Sequence, residues 1–336
     1  MIRKIVWTLL ALVVVMLLAG ISATIGWRPF IGPKSRPLTD RRFDRTPGRL
    51  ARGEYLTENL LNCFACHSDR DWTQHDAPAI AGTKGGGSPA FPLQDLPGQV
   101  HPPNISPDKE TGAGNWTDDQ LARAIREGIA NDGRALFPFM PYENFRHLSD
   151  EDLASVTVYL RSIPPVHRAV PKTELIFPVK YLIRSVPEPL TQPVPVPDLS
   201  AAVKRGEYLV TVGGCRDCHT VQRNGQRVAA LDLAGGFLLR GPWGEAASAN
   251  ITPDPSGIPY YDEALFLDVM HTGYAKARKL SQIMPWWNYR NLTDEDLKAI
   301  FAYLHTVPPV THHVDNSKPP TLCKICGLMH GAGDQN

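Results

Sequence analysis

The sequence predicts an all-α protein: two tandem helical domains behind an N-terminal transmembrane helix. Three observations carry this prediction. An apolar stretch runs from Ile5 to Ile25. The chain beyond it repeats a set of short motifs in the same order. Within each copy, capped starts, apolar faces at helical spacing and proline stops mark out helices.

At about 1.5 Å per residue the apolar stretch measures roughly 31 Å, against a bilayer core of about 30 Å. Arg3 and Lys4 precede it. A cleaved secretory leader is the rival reading. Its best cleavage site ends at Ala23 and puts the bulky Ile21 where a small residue is preferred, so the length favours an uncleaved anchor. Either reading sends the rest of the chain across the membrane. Charge does not orient the span, because Arg28, Lys34, Arg36, Arg41 and Arg42 follow it.

The bulk numbers suit a globular protein. The chain has 336 residues, enough for two domains with separate cores. Its 35 basic and 34 acidic residues leave a formal charge of +1, with no block of Lys or Arg, which argues against nucleic acid. The 31 prolines imply long loops and linkers between helices.

The duplication sets the domain plan. Arg52-Gly-Glu-Tyr-Leu56 recurs as Arg205-Gly-Glu-Tyr-Leu209, and Asn104-Ile-Ser-Pro-Asp108 as Asn250-Ile-Thr-Pro-Asp254. From Met140-Pro141 and Met284-Pro285 onward, Asn144, Arg146, Leu148 and Asp150 to Leu153 match Asn288, Arg290, Leu292 and Asp294 to Leu297. Both copies close with Pro-Pro-Val, at Val166 and Val310. The expected division is an anchor and linker over 1–45, a first domain over 46–170, a Pro-rich connector over 171–198, a second domain over 199–311, and a tail over 312–336. The middle of the connector, Leu175 to Ile183, is apolar enough to pack on one of the domains.

Local signals place the helices. Ser149-Asp-Glu-Asp152 and Thr293-Asp-Glu-Asp296 are hydroxyl caps followed by acids in the first turn. The apolar faces that follow carry Leu153, Val156 and Leu160, and Leu297, Ile300, Phe301 and Leu304. Each helix stops before a Pro pair. Thr117 to Gln120 is a capping box for another helix, continuing to about Ala130.

Six cysteines form three C-x-x-C pairs. Two pairs are followed by His: Cys63-Phe-Ala-Cys66-His67 and Cys215-Arg-Asp-Cys218-His219. This pattern signals c-type haem attachment. Two thiols form thioether bonds to the haem vinyl groups, and one helical turn sets His under the iron. A disulfide, a redox dithiol or half a zinc site competes for a lone motif, but two copies in an exported chain point to two covalently attached haem c groups. The third pair, Cys323 and Cys326, lacks the His. A local disulfide is the plain expectation for it; a metal site with His330 has only two thiols and one imidazole, short of a tetrahedral set.

A sixth iron ligand closes the site for electron transfer, and a Met sulfur raises the potential. Met140 in Pro138-Phe-Met-Pro141 and Met284 in Gln282-Ile-Met-Pro285 fall at matching points of the repeat, in Pro-stiffened loops. They are the expected partners of His67 and His219. Met16 and Met270 read as apolar filler. His75, His101, His147 and His271 have no counterparts at their repeat positions. The repeated Asn104, Asn250, Arg146 and Arg290 suit haem propionates and loop bracing equally.

Taken together, the RGEYL element, C-x-x-C-H, Asn-Ile-Ser/Thr-Pro-Asp, Trp116-Thr-Asp-Asp, the Met-Pro loops and the Asp-Glu-Asp-Leu helices resemble the cytochrome c subunits of membrane-bound alcohol, aldehyde and gluconate-type dehydrogenases. The resemblance covers Arg49 to Val310. It implies two class I cytochrome c domains, each a few helices wrapped on one haem. It also implies haem attachment at Cys63, Cys66, Cys215 and Cys218, with iron ligands His67, Met140, His219 and Met284. Those subunits commonly carry three haem motifs, whereas this chain has two. The Cys323 pair is too close behind Val310 to be a decayed third domain.

The expected role is electron transfer from a dehydrogenase catalytic subunit to quinone, another cytochrome or a terminal oxidase. C-x-x-C-H haem attachment takes place outside the cytoplasm in bacteria. That places the haem domains in the periplasm and the anchor in the inner membrane. No Gly-rich nucleotide loop or serine triad pattern suggests substrate chemistry of its own. Alternatives are a dihaem peroxidase or a thiosulfate-oxidising cytochrome, which need an open iron face, and a haem-based sensor, which needs a cytoplasmic output module.

Overall fold

The computed structural model describes residues 2–223 and 225–333. Its helices are α1 (Ile2–Thr24), α2 (Arg28–Ile31), α3 (Pro47–Tyr55), α4 (Cys63–Cys66), α5 (Asp118–Glu127), α6 (Tyr142–Phe145), α7 (Asp150–Leu160), α8 (Val179–Leu182), α9 (Ala202–Val212), α10 (Cys215–His219), α11 (Glu263–Thr272), α12 (Trp286–Tyr289) and α13 (Asp294–Leu304). Strands are also present, which corrects the all-α expectation. Among the described residues they form five antiparallel pairs, and none of these strands exceeds four residues. β1 (Gly98–Gln99) pairs with β2 (Glu174–Leu175), β3 (Gln222–Arg223) with β4 (Gln226–Arg227), and β5 (Leu238–Gly241) with β6 (Gly244–Ala247). β7 (Tyr274–Ala275) pairs with β8 (Arg278–Lys279), and β9 (Pro320–Leu322) with β10 (Met329–Gly331). Such pieces zip up loops whose backbone groups need partners, and pieces this short leave no alternating apolar pattern in the sequence.

α1 is the one helix among the described residues long and apolar enough to cross a membrane, and it buries no residue against the rest of the protein. The segment after it lies along the first repeat. Arg36 makes two 2.7 Å bonds to Asp119 and one of 2.8 Å to Glu127, both acids on α5. The Thr39 and Phe43 amides donate to Asp119 and Asp118. Part of the basic run that left orientation ambiguous is thus spent on fixing this strap.

In each repeat, one long helix pair forms the frame: α3 against α7, and α9 against α13. The glycine of each RGEYL motif explains the close crossing. A Cβ on Gly53 would lie 2.0 Å from the Ser155 carbonyl oxygen, and one on Gly206 would lie 1.9 Å from that of Ala299. The caps are those expected, with Ser149 and Thr293 accepting from the Asp152 and Asp296 amides. Leu153, Val156 and Leu160, and Leu297, Ile300 and Leu304, are buried, at roughly 1.5–3 kcal/mol for each fully buried large side chain. α5 ends at Glu127 rather than near Ala130, because Gly128 turns left-handed (φ 69°) beneath the Tyr142 ring.

The repeats differ by one residue: eight steps separate Tyr55 from Cys63, and seven separate Tyr208 from Cys215. The structure absorbs the extra residue in a π-helical turn, Leu56–Leu60, closed by the Leu61 amide on the Leu56 carbonyl. A π turn spans five residues per bond where an α turn spans four, so it takes up one residue without breaking the helix.

The two repeats share one continuous apolar cluster, from Leu56 and Phe64 to Leu304 and Val307. Polar contacts cross between them in matched pairs. The Tyr55 hydroxyl donates to Asp296 (2.5 Å) and the Tyr208 hydroxyl to Asp152 (2.7 Å), joining each RGEYL motif to the Asp-Glu-Asp helix of the other repeat. Burial and the bond to Asp296 push the Tyr55 phenol up to about 12, so it stays a donor. Of the connector, β2 pairs with β1 in the first repeat, and Arg184 reaches the Pro29 carbonyl, while Ile176 and Phe177 remain exposed.

Candidate functional site

The two Cys-x-x-Cys-His segments fold alike. α4 and α10 are single turns, each preceded by a left-handed residue: Asn62 (φ 54°) and Gly214 (φ 70°), types that tolerate this conformation. The turn brings both cysteines and the histidine onto one side of the backbone. Cys63, Cys66, Cys215 and Cys218 are half-buried, and none of the six cysteines is joined in a disulfide. Burial pushes the Cys63, Cys66 and Cys218 thiols up to about 12 and that of Cys215 to about 11.

The histidines are oriented by the same device. His67 Nδ1 donates to the Pro103 carbonyl and His219 Nδ1 to that of Ala249, both at 2.7 Å. With the proton on Nδ1, the Nε2 lone pair faces outward, the tautomer an iron ligand needs. Burial lowers the pKa of both imidazoles and keeps them neutral.

Pro103 and Ala249 immediately precede the repeated asparagines, whose role is bracing. Asn104 donates to the Val166, Arg168 and Thr111 oxygens and accepts from the Ser106 amide. Asn250 donates to Val310, His312 and Ser256 and accepts from the Thr252 amide. Each asparagine thereby ties the loop that carries the histidine's acceptor to the segment closing the repeat. Of the repeated arginines, Arg290 lies over the Trp286 ring, 5.7 Å from its centroid.

The methionine loops also match. The Met140 amide bonds the Phe137 carbonyl and that of Met284 bonds Ser281, both at 3.1 Å; the Tyr142 and Trp286 amides return to the methionine carbonyls at 2.7 Å. Pro141 (ψ 51°) and Pro285 (ψ 46°) share one conformation. Met140, Met284, Cys63 and Cys215 all pack on the shared apolar cluster. Two of the competing histidines are otherwise engaged: His75 bonds the Leu280 carbonyl and stacks near Trp286, and His271 bonds the Arg290 carbonyl and Asp294.

Sequence reasoning missed how the two sites meet. Asn288, beside the second Met loop, donates to Asn62 at the first motif (2.6 Å). Asn144, beside the first Met loop, donates to Asp217 inside the second motif (2.5 Å). Asn62 in turn donates to the Tyr289 hydroxyl of the second repeat (2.9 Å), and Ala65 packs against the Trp286 and Trp287 cluster on which Met284 also rests. Each Cys-x-x-Cys-His turn therefore lies against the Met loop of the other repeat. The matched Asn144 and Asn288 were the signal: a polar residue repeated beside a proposed ligand.

A short helical turn carrying two cysteines and a Nδ1-anchored histidine, framed by crossed helices, defines a c-type cytochrome. Comparison with known proteins agrees. The cytochrome c family model matches residues 50–164, within the first repeat. A diheme cytochrome c-type protein of Cereibacter sphaeroides is 30% identical over 280 residues, covering 80% of this chain and 89% of that protein. The cytochrome c subunit of a quinone alcohol dehydrogenase from Gluconacetobacter polyoxogenes is 28% identical over 286 residues, 80% of this chain and 58% of that protein. The gluconate 2-dehydrogenase cytochrome c subunit of Pantoea cypripedii is 32% identical over 278 residues, 76% of this chain and 59% of that protein. This chain thus spans less than two thirds of the length of several dehydrogenase subunits it matches. The chain belongs to the cytochrome c family. Covalent haem c is what that membership implies.

Proposed function

We propose that the protein is a membrane-anchored, two-haem electron-transfer subunit of a periplasmic dehydrogenase system, built as two tandem cytochrome c domains. Haem c supplies reversible one-electron iron chemistry when bound. Cys63 and Cys66 hold one group and Cys215 and Cys218 the other. His67 and Met140 ligate the first iron, and His219 and Met284 the second. The observation that carries this is the twofold recurrence of one arrangement: unpaired cysteines on a helical turn, a histidine with Nδ1 fixed on a carbonyl, and a Pro-locked Met loop on the same apolar cluster.

The residues present fit such a group. Ser281 Oγ and Trp286 Nε1, close in sequence to Met284, are buried without a hydrogen-bond partner, as expected of polar atoms reserved for the polar edge of a bound group. Contact of each motif with the other repeat's Met loop supports direct passage of an electron between the two centres. α1 and the strap hold the first repeat at the membrane face. A dehydrogenase catalytic subunit is the donor, as the relatives' names suggest, and quinone, another cytochrome or a terminal oxidase is the acceptor.

Mild-detergent purification from native membranes tests this reading. A dehydrogenase subunit should co-purify and reduce both haems when its substrate is added. A protein that comes off alone, and binds carbon monoxide once reduced, would instead have an open iron and the peroxidase chemistry that goes with it.

A further inference from the structure

The C-terminal tail contains a second kind of site. Cys323 and Cys326 do not form the expected disulfide. They sit at the tip of the β9–β10 hairpin, where the Cys323 amide bonds the Leu328 carbonyl and the Gly327 amide returns to the Cys323 carbonyl, with Gly327 left-handed (φ 71°). Two histidines meet them there. His330 comes from β10, and His312 comes from the segment just after the second repeat, eleven residues before Cys323. The four ligand atoms lie within 4.8 Å of one another. All four residues are at most 1% exposed.

We propose that His312, Cys323, Cys326 and His330 bind one structural zinc ion. The distances suit it. Tetrahedral zinc with Zn–N near 2.05 Å and Zn–S near 2.3 Å places two nitrogens about 3.3 Å apart and a nitrogen and sulfur about 3.6 Å apart. The Nε2 atoms of His312 and His330 are 3.2 Å apart, and Cys323 Sγ lies 3.5 Å from His312 Nε2. His312 Nδ1 donates to the Ala234 carbonyl at 2.9 Å, which leaves its Nε2 lone pair directed at the cluster. Two sulfurs and two imidazoles in a closed tetrahedron select zinc over hard oxygen-seeking cations. With all four ligands supplied by the protein, the site has no open position and is structural.

The ion would fasten the tail to the second repeat. Cys323 and Cys326 pack on Val221, Leu231 and Ala234, and Arg223 bonds the Cys326 carbonyl. The His312 ring fills the space beside Gly236, where a Cβ would lie 2.4 Å from it. The neighbouring Gly235 amide bonds the His219 carbonyl. The staple therefore braces the loop behind His219.

Elemental analysis of the full-length, haem-loaded protein in detergent tests the proposal. The expected result is one zinc per chain besides haem iron, with zinc lost and iron unchanged in the Cys323→Ser/Cys326→Ser double variant. Should that variant not fold, the wild-type chain still decides. Alkylation without reductant should modify two thiols only when a strong chelator is present. Substoichiometric zinc with a Cys323–Cys326 disulfide in the intact mass would overturn the proposal. So would zinc that persists in the folded double variant.

Discussion

His67 and His219 are distinguished from the other histidines by a carbonyl acceptor supplied from the same place in each repeat, one residue before a bracing asparagine. Replacing Asn104 or Asn250 by Ala removes three donated bonds at a buried position. The cost should be about 1–3 kcal/mol or more, since carbonyls are left unpaired, read as a lower midpoint in chemical denaturation. The ligand assignment has a test of its own. Met140→His and Met284→His should each lower the potential of one haem and leave the other wave of a redox titration in place, because Met ligation raises the potential. One substitution that shifts both waves equally would show that the pairing is wrong. The matching methionine loops and histidine turns were legible from the sequence because the repeat aligned them. The choice between bracing and propionate contact for the asparagines was not, since both roles use the same amide.

At the scale of elements, the RGEYL glycine and tyrosine have separate tasks. The glycine lets α9 cross α13 at backbone contact, so Gly206→Ala should destabilise the protein by about 1–3 kcal/mol through overpacking, with Gly53→Ala behaving alike. The tyrosine joins the repeats. Tyr208→Phe leaves Asp152 without one of its donors and should cost about 1–3 kcal/mol. Combined with Asp152→Asn, its effect should shrink, the coupling that a double-mutant cycle measures. Additive effects would mean that the cross-repeat bond contributes nothing. The helix starts were readable because a cap and its first-turn acids are local. The π turn was not, although the one-residue difference between the repeats was there to be counted.

At the scale of the whole molecule, the strap behind α1 is fixed to the first repeat through the acids of α5. Burial of Asp119 opposes its ionisation, but the bonds from Arg36 and the Thr39 amide outweigh burial and hold its carboxyl below the usual range. The pair therefore adds stability above the ordinary carboxylate pKa of about 4, and loses it as pH falls through the lowered value. A thermal melt of the Asp119→Asn variant should lie below wild type at pH 7, with the gap closing on acidification. A gap that is constant with pH would rule out this linkage.

The sequence by itself determined the repeat, both Cys-x-x-Cys-His turns, the two Met-Pro loops, the capped helices and the apolar N-terminal span. Each is written in residues close together or in register between two copies. The tertiary structure alone decided how the copies cross, which carbonyls orient His67 and His219, and that His312 joins the tail cysteines. Tyr55 and Asp296 are 241 residues apart, and His312 stands outside any motif spacing. Such contacts depend on where distant backbone segments come to rest, and they leave no periodicity along the chain.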